Sequence, residues 1–408
     1  MLSNPCGTRP DGEPVTSTGP RPRLSILGIR GLPARHGGFE TFAEGLSQYL
    51  VAAGWDVTVY CQAEAGEALG ESTWQGIRLV HLSPGLPGAP GTILFDWRAT
   101  LHACRDVGRA VDGQEGLVLT LGYNTAIFSL ALRLWRIRNL INMDGLEWRR
   151  SKYGMLVKAW FYINEHFGCW LGNHLIADHP AIADHLATRT SVARITTIAY
   201  GAETIEGADS APLTGLGLQP GSYALVIARP EPENSILEIV RGFAARDRGL
   251  RLVVLGRYSD EHPYQRAVKA AAGPQALFPG AIYDKQMVRA LRFHTALYIH
   301  GHQVGGTNPS LIEALGAGNA VLAHDNRFNR WVAGPDAAFF TCAATCAQAL
   351  DGLLTDRPRL AAMGRASRVR HGALFRLDER HADYEKLLTA WLPKRRQELQ
   401  VSPVGTAP

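Results

Sequence analysis

An α/β fold of two parallel-sheet halves is predicted by three features of this 408-residue chain. Short apolar runs recur, each followed by a stretch with helical spacing, from residue 23 to near residue 375. A segment rich in Gly, Ala, Pro and Ser without periodicity interrupts the alternation at residues 201–221. Glycine, histidine and aspartate collect just after the apolar runs, where the carboxyl ends of parallel strands place ligand-binding loops.

The elements follow in order. "RLSILGI" (23–29) is a run of the kind buried on both faces of a parallel sheet. After the loop "RGLPARHGG", Phe39, Phe42, Ala43, Leu46, Tyr49 and Leu50 share one helical face, Gly54 ends the helix and "WDVTVYC" returns as a strand. This is a βαβ unit. "GLVLTLG" (116–122), "NLINMDG" (139–145), "HLIADHP" and "RITTIAYGAE" continue the first half, with "TAIFSLALRLW" and "AIADHLA" as helices. The second half restarts at "YALVIAR" (223–229) and continues with "RLVVLG", "ALFPGAI", "ALYIHGH" and "AVLAHD". The expected organisation is a tail over 1–22, a first Rossmann-like domain over 23–200, a linker over 201–221, a second Rossmann-like domain over 222–375, and a helix over 376–398 placed to cross back to the first domain.

Composition narrows the function classes. Hydrophobic residues are 46% and charged residues 19% of the chain, a globular balance. The net charge of +5 suits an anionic ligand or membrane surface without demanding either. Nucleic acid is not expected, since neither zinc spacing nor a basic run interleaved with aromatics occurs. Six scattered cysteines form no metal set and point to a reducing compartment. No stretch reaches the roughly 18 apolar residues that cross a bilayer, and residues 1–22 lack the apolar centre of a signal peptide. The expected location is cytoplasmic, with the inner face of the membrane as a place of peripheral contact.

"HGHQVGGTNPSLIEALGAGNAVLAHD" (300–325) concentrates the chemistry. Asn308 and Pro309 fit a helix N-cap and first helical position, whose free N–H groups attract anions. Gly305 and Gly306 allow close approach of a phosphate, Thr307 completes the bend, and Glu313 suits vicinal sugar hydroxyls; the alternative is a plain capped helix after a turn. In the first half Gly37 and Gly38 open a helix in the corresponding strand–loop–helix position, though the spacing is not the dinucleotide fingerprint. Two glycine-rich helix openings, one per half, suggest a cleft that clamps a nucleotide diphosphate. Asp144, at the end of "LINMD", fits contact with a sugar hydroxyl or acceptance of the acceptor's proton, or else the cap of the next helix. Glu147 is a secondary candidate. His300 and His302 read equally as donor contacts or as satisfied structural histidines. The segment "RRSKYGMLVKAWFYINEHFGCWLG" (149–172) reads first as an amphipathic core helix with a basic flank, and second as an interfacial patch facing a lipid-linked acceptor.

These segments resemble GT-B glycosyltransferases of family 4, a retaining family that uses nucleotide-sugar donors. The resemblance rests on "GGFE", "ADHPAIADHL", "IAYGAE", "VIARPEPEN" and "GGTNPSLIEALGAGNAVLAHD". "GIRGLPARHGGFETF", "NMDGLEWRRSKYG", "ARPEPENSI" and "HGHQVGGTNPSLIEALG" resemble a bacterial rhamnosyltransferase-like subgroup of polysaccharide assembly; together the similarity covers roughly residues 23–390. It implies two Rossmann-like domains facing each other across a cleft, a nucleotide diphosphate sugar donor, and a glycan or lipid-linked acceptor.

The chain departs from the family at three positions. Of two glutamates eight residues apart, the second is Glu313 but Gly305 stands at the first. Of the Arg and Lys that bind the diphosphate, Arg229 matches, but Asn234 takes the place of Lys, leaving Arg30 or Arg35 as substitutes. Asp144 stands where many members have His. No Asp-x-Asp occurs, so neither a metal nor another cofactor is expected. The implied reaction is metal-independent hexosyl transfer by front-face attack, with retention, Arg229 and the helix start stabilising the departing diphosphate. A sugar-nucleotide epimerase or hydrolase of the same architecture, and a non-catalytic sugar-nucleotide-binding protein, stay open as alternatives.

Overall fold

A computed structural model of the chain describes residues 21–34, 37–64, 68–108, 116–150 and 152–393. Arg35, the expected tail up to residue 20 and the end of the expected last helix lie outside them.

The first half runs β1 (Arg23–Leu27), α1 (Gly38–Ala52), β2 (Asp56–Gln62), β3 (Gly70–Trp74), β4 (Ile77–Leu82), α2 (Gly88–Gly108), β5 (Gly116–Leu121), α3 (Ser129–Leu134), β6 (Asn139–Asn142), α4 (Met155–Leu171), β7 (His174–Ala177), α5 (Pro180–Ala187) and β8 (Ile195–Thr197). The second half runs β9 (Tyr223–Ile227), α6 (Ile236–Ala244), β10 (Arg251–Leu255), α7 (Pro263–Ala271), β11 (Ala276–Leu277), α8 (Lys285–His294), β12 (Leu297–His300), α9 (Pro309–Gly316), β13 (Val321–His324), α10 (Arg327–Ala333), β14 (Ala338–Phe340), α11 (Ala343–Leu354), α12 (Arg357–Leu374) and α13 (Leu377–Trp391). The strands form two sheets, ordered β3-β4-β2-β1-β5-β6-β7-β8 and β11-β10-β9-β12-β13-β14. β1 pairs in parallel with β2 and β5, and β9 with β10 and β12. In each sheet the order reverses beside the first strand of that half, and ligand-binding crevices open at such points.

β3 and β4 form an antiparallel hairpin that the strand pattern does not announce. β3 is nearly all exposed, so it carries no apolar alternation. The segment at 201–221 is packed: Leu213, in a 3-10 turn over Ala211–Leu216, is fully buried, and the Ile205 N–H bonds the Gly316 carbonyl at 3.0 Å.

The chain divides into two compact units, the first made of Met1–Ile141, Leu171–Asn173 and Glu385–Pro408, the second of Asn142–Trp170 and His174–Tyr384. Leu27, Tyr60, Val80, Phe95 and Val118 belong to a core of the first unit. In the same unit the end of α13 is held where Tyr49 donates to Glu385 at 3.0 Å and Trp55 at 3.4 Å. Val226, Phe243, Val254, Ile299, Leu322 and Phe340 belong to a core of the second. Burial of such side chains contributes about 1.5–3 kcal/mol each, and it anchors the strand ends that carry the loops described next.

Candidate functional site

Two steps beyond β6, the backbone of Asp144 adopts the left-handed conformation, φ 49°. An aspartate tolerates this region better than most residues. The Asn142 side chain holds it there, accepting the Asp144 N–H at 3.0 Å while donating to the Tyr384 hydroxyl at 2.9 Å. Asp144 therefore does not cap the next helical turn, Glu147–Arg149, whose cap position is Leu146. Burial first, then the negative charges of Glu147 and Asp178, push its carboxyl up to about 7. An acid poised near neutrality suits proton exchange.

Next to it, Gly145 packs on the glycine bend: a Cβ there would lie 3.0 Å from the Gly305 Cα and 3.4 Å from the Gly306 N. Gly305 has φ 116°, a conformation that glycine adopts without strain. Asn308 and Pro309 take the helix cap and first position of α9, and the Asn308 side chain accepts the Ser310 N–H at 3.0 Å.

The bend is less open than its sequence suggests. Asp178, at the end of β7, is 1% exposed. Its Oδ2 accepts the Thr307 N–H at 2.6 Å, the Thr307 hydroxyl donates to its carbonyl, and a Cβ on Gly306 would overlap its carboxylate. Burial raises this acid to about 6, against the lowering effect of the Thr307 bonds, and its Oδ1 has no partner among the described residues. The Thr307 and Ser310 amides are thus already satisfied inside the protein. The amides of Gly305 and Gly306 have no such acceptor among the described residues. "ADHP" showed an aspartate before a helix; nothing in its spacing announced a partner 129 residues away.

Arg229 follows β9, is exposed, and has no carboxylate partner among the described residues. Asn234 does not stand beside it as a second ligand. It is buried and donates to the Arg229 carbonyl at 2.7 Å, shaping the loop instead. The neighbouring cations are ones that sequence reasoning assigned elsewhere. After burial, the charges of Arg150 and Arg229 lower the pKa of Lys152, which places all three together. Arg150 is itself held by Glu147 at 2.9 Å and by the buried Glu233. Glu147 is thereby an anchor for Arg150.

His300 and His302 stack with ring centroids 4.5 Å apart and 9° between planes. Burial drives both pKa values down, that of His302 to about 3 with help from Arg229 and Arg150. Both rings are neutral at physiological pH, and the His300 Nε2 and His302 Nδ1 have no partner among the described residues. Glu313 pairs with Arg292, which also donates to the Ser310 carbonyl at 3.0 Å, and the Glu313 side chain keeps 41% of its surface open. In the first unit, exposed Gly37 and Gly38 open α1, and Glu40 accepts the Arg30 N–H at 3.3 Å from the same loop.

Residues 22–203 match the family described as "Domain of unknown function (DUF1972)". No curated protein matches the sequence. Solved structures match nearly end to end. A sucrose-phosphate synthase from Thermosynechococcus elongatus is 16% identical, over 91% of this chain and 99% of that one, with a TM-score of 0.76. Anabaena HepE, in complex with UDP and glucose, is 11% identical over 91% and 100%, with a TM-score of 0.70. A UDP-forming α,α-trehalose-phosphate synthase from Burkholderia xenovorans, in complex with glucose-6-phosphate, is 12% identical over 90% and 100%, with a TM-score of 0.66. The chain has the GT-B fold. At these identities the likeness concerns architecture. Within the GT-B frame of this chain, Asp144, Gly305, Gly306, Thr307, Arg229, Arg150 and Lys152 belong to one unit, as do Glu313, His300 and His302. Arg30, Gly37 and Gly38 belong to the other. No helix among the described residues is long and apolar enough to cross a membrane.

Proposed function

We propose that this protein is a glycosyltransferase that moves a hexose from a nucleotide diphosphate donor to a glycan or lipid-linked oligosaccharide. The observation that carries the reading is the meeting of Asp144 and the Gly305–Gly306 bend in one unit, with Arg229 and Lys152 as nearby cations. The open amides and cations offer a place for a diphosphate. Asp144 contacts the transferred sugar or takes the acceptor's proton. Glu313 binds hydroxyls of the nucleotide's sugar. Lys152 supplies the cation missing at Asn234.

The solved neighbours support the donor class, since Anabaena HepE is held with UDP and with UDP-glucose. The resemblance of four segments to rhamnosyltransferase-like enzymes supports a deoxyhexose such as rhamnose and a role in bacterial polysaccharide synthesis. Retention follows from the resemblance to family 4, transfer without a metal from the lack of an Asp-x-Asp, and a cytoplasmic location from the scattered cysteines.

The test is a thermal-shift panel of nucleotide diphosphates, followed by incubation with UDP-, dTDP- and GDP-sugars and candidate acceptors. A true donor nucleotide at ~100 times its Kd adds ~2.7 kcal/mol of stability, and its sugar appears on the acceptor. Absence of any nucleotide-induced shift would sink the reading. Epimerised free sugar without transfer, or binding without turnover, would replace it with one of the alternatives.

A further inference from the structure

α4 is built inside out. Its inward positions include Asn164, Glu165, Gly168 and Cys169. Its solvent face carries Met155, Leu156, Ala159, Tyr162, Ile163 and Trp170, at spacings that share one side of a helix. Met155 and Leu156 are each 88% exposed, Ile163 51% and Trp170 60%. Of the aromatics of this segment, Tyr162 and Trp170 face outward while Trp160, Phe161 and Phe167 are half-buried, so the core and the interfacial readings hold for different faces, and the reason is local. Glu165 is 1% exposed and gripped from three sides: Trp148 donates to it at 2.7 Å, His185 bonds it at 2.8 Å and Arg189 pairs with it at 2.9 Å. A buried carboxylate with that many partners fixes the rotation of the helix. The apolar residues are left pointing outward.

The exposed charges along this stretch of the chain have one sign. Arg149, exposed, precedes the helix and Lys158 flanks it, while Glu165, the only carboxylate in residues 148–170, is buried. The whole chain carries a net charge of +5. Apolar and aromatic side chains on one face, cations beside them and no exposed acid match an interfacial helix lying in the plane of an anionic bilayer. A contiguous apolar surface of this kind is rarely left to water, and a 17-residue helix spans about 26 Å at 1.5 Å per residue, enough to lie along a bilayer surface as a stripe.

We propose that the outward face of α4 docks on an anionic phospholipid surface, with Met155, Leu156, Ile163 and Trp170 inserted at the headgroup–acyl boundary. This goes beyond the transferase reading and does not depend on it.

The test is co-sedimentation of the full chain with vesicles of phosphatidylcholine alone and of equal parts phosphatidylcholine and phosphatidylglycerol. The wild type partitions to the mixed vesicles and much less to the neutral ones, and added salt weakens the binding. The triple variant M155S/L156S/I163S loses at least about tenfold in partition coefficient, since each apolar side chain contributes to insertion, while its Tm and its far-UV circular dichroism stay as in the wild type. Light scattering runs alongside. Failure of the wild type to bind the mixed vesicles overturns the proposal. So does binding that the triple variant retains, or a wild-type dimer in solution that the same substitutions dissociate, which would make a second copy the occupant of this face.

Discussion

Replacing Asp178 by asparagine removes a charge from the glycine bend and nearly preserves its shape. The carboxyl is raised from 3.8 to about 6 by burial, while its bonds with Thr307 work in the opposite direction. Two pKa units correspond to ~3 kcal/mol. The folded state holds this proton more tightly than the unfolded chain, so between about pH 4 and pH 6 it binds more protons, and unfolding free energy falls as pH rises. Below about pH 4 the penalty is absent and above about pH 6 it is fully present. The Asp178→Asn side chain keeps an acceptor for the Thr307 N–H and does not titrate. Relative to wild type, the variant should therefore gain up to ~3 kcal/mol as pH is raised from about 4 to 7, on top of a pH-independent offset from its NH2 group. Urea denaturation of both proteins, followed by tryptophan fluorescence at several pH values, gives the difference, in which most other titrating groups cancel. A difference flat to within ~0.5 kcal/mol over that range, or one that shrinks as pH rises, would refute the argument that Asp178 is ionised at a desolvation cost. The same variant bears on function. A negative charge on the Thr307 amide opposes a diphosphate on the adjoining amides, so Asp178→Asn should bind UDP more tightly than wild type above about pH 7 and nearly equally near pH 5.

Asp144→Asn should lower turnover by ~100-fold or more while leaving UDP affinity nearly unchanged, and wild-type kcat should fall as pH drops below about 7, where the carboxyl takes up its proton. Arg229→Ala should weaken UDP binding at least ~10-fold in calorimetry, and should also flatten the salt dependence of that binding. Arg150→Met should destabilise the protein by ~3–5 kcal/mol because Glu233 is left buried without its cation, and Glu233→Gln in the same chain should recover much of the loss in a denaturation series. Glu313→Gln keeps a hydrogen-bond acceptor for Arg292, so donor KM should rise while Tm moves little; a large fall in Tm with KM unchanged would make Glu313 a structural residue only.

The alternation of apolar runs and helical spacing determined the α/β class, because a strand buried on both faces must be apolar and each parallel return needs a crossover. It also located the chemistry: the Asn308–Pro309 cap, the glycine bend before it and Asp144 at a strand end are local consequences of residue type, legible without a partner. Tertiary structure decided what those groups meet. Asp178 closes the Thr307 amide across 129 residues of sequence, Arg150 reaches Glu233 across 83, and Arg292 takes Glu313. Charge pairing and desolvation depend on which loops the fold brings within a few ångströms, and sequence spacing carries none of that distance. α4 shows the same limit in reverse. Its periodicity marked an amphipathic helix, but a single buried glutamate and its three partners set which side faces out.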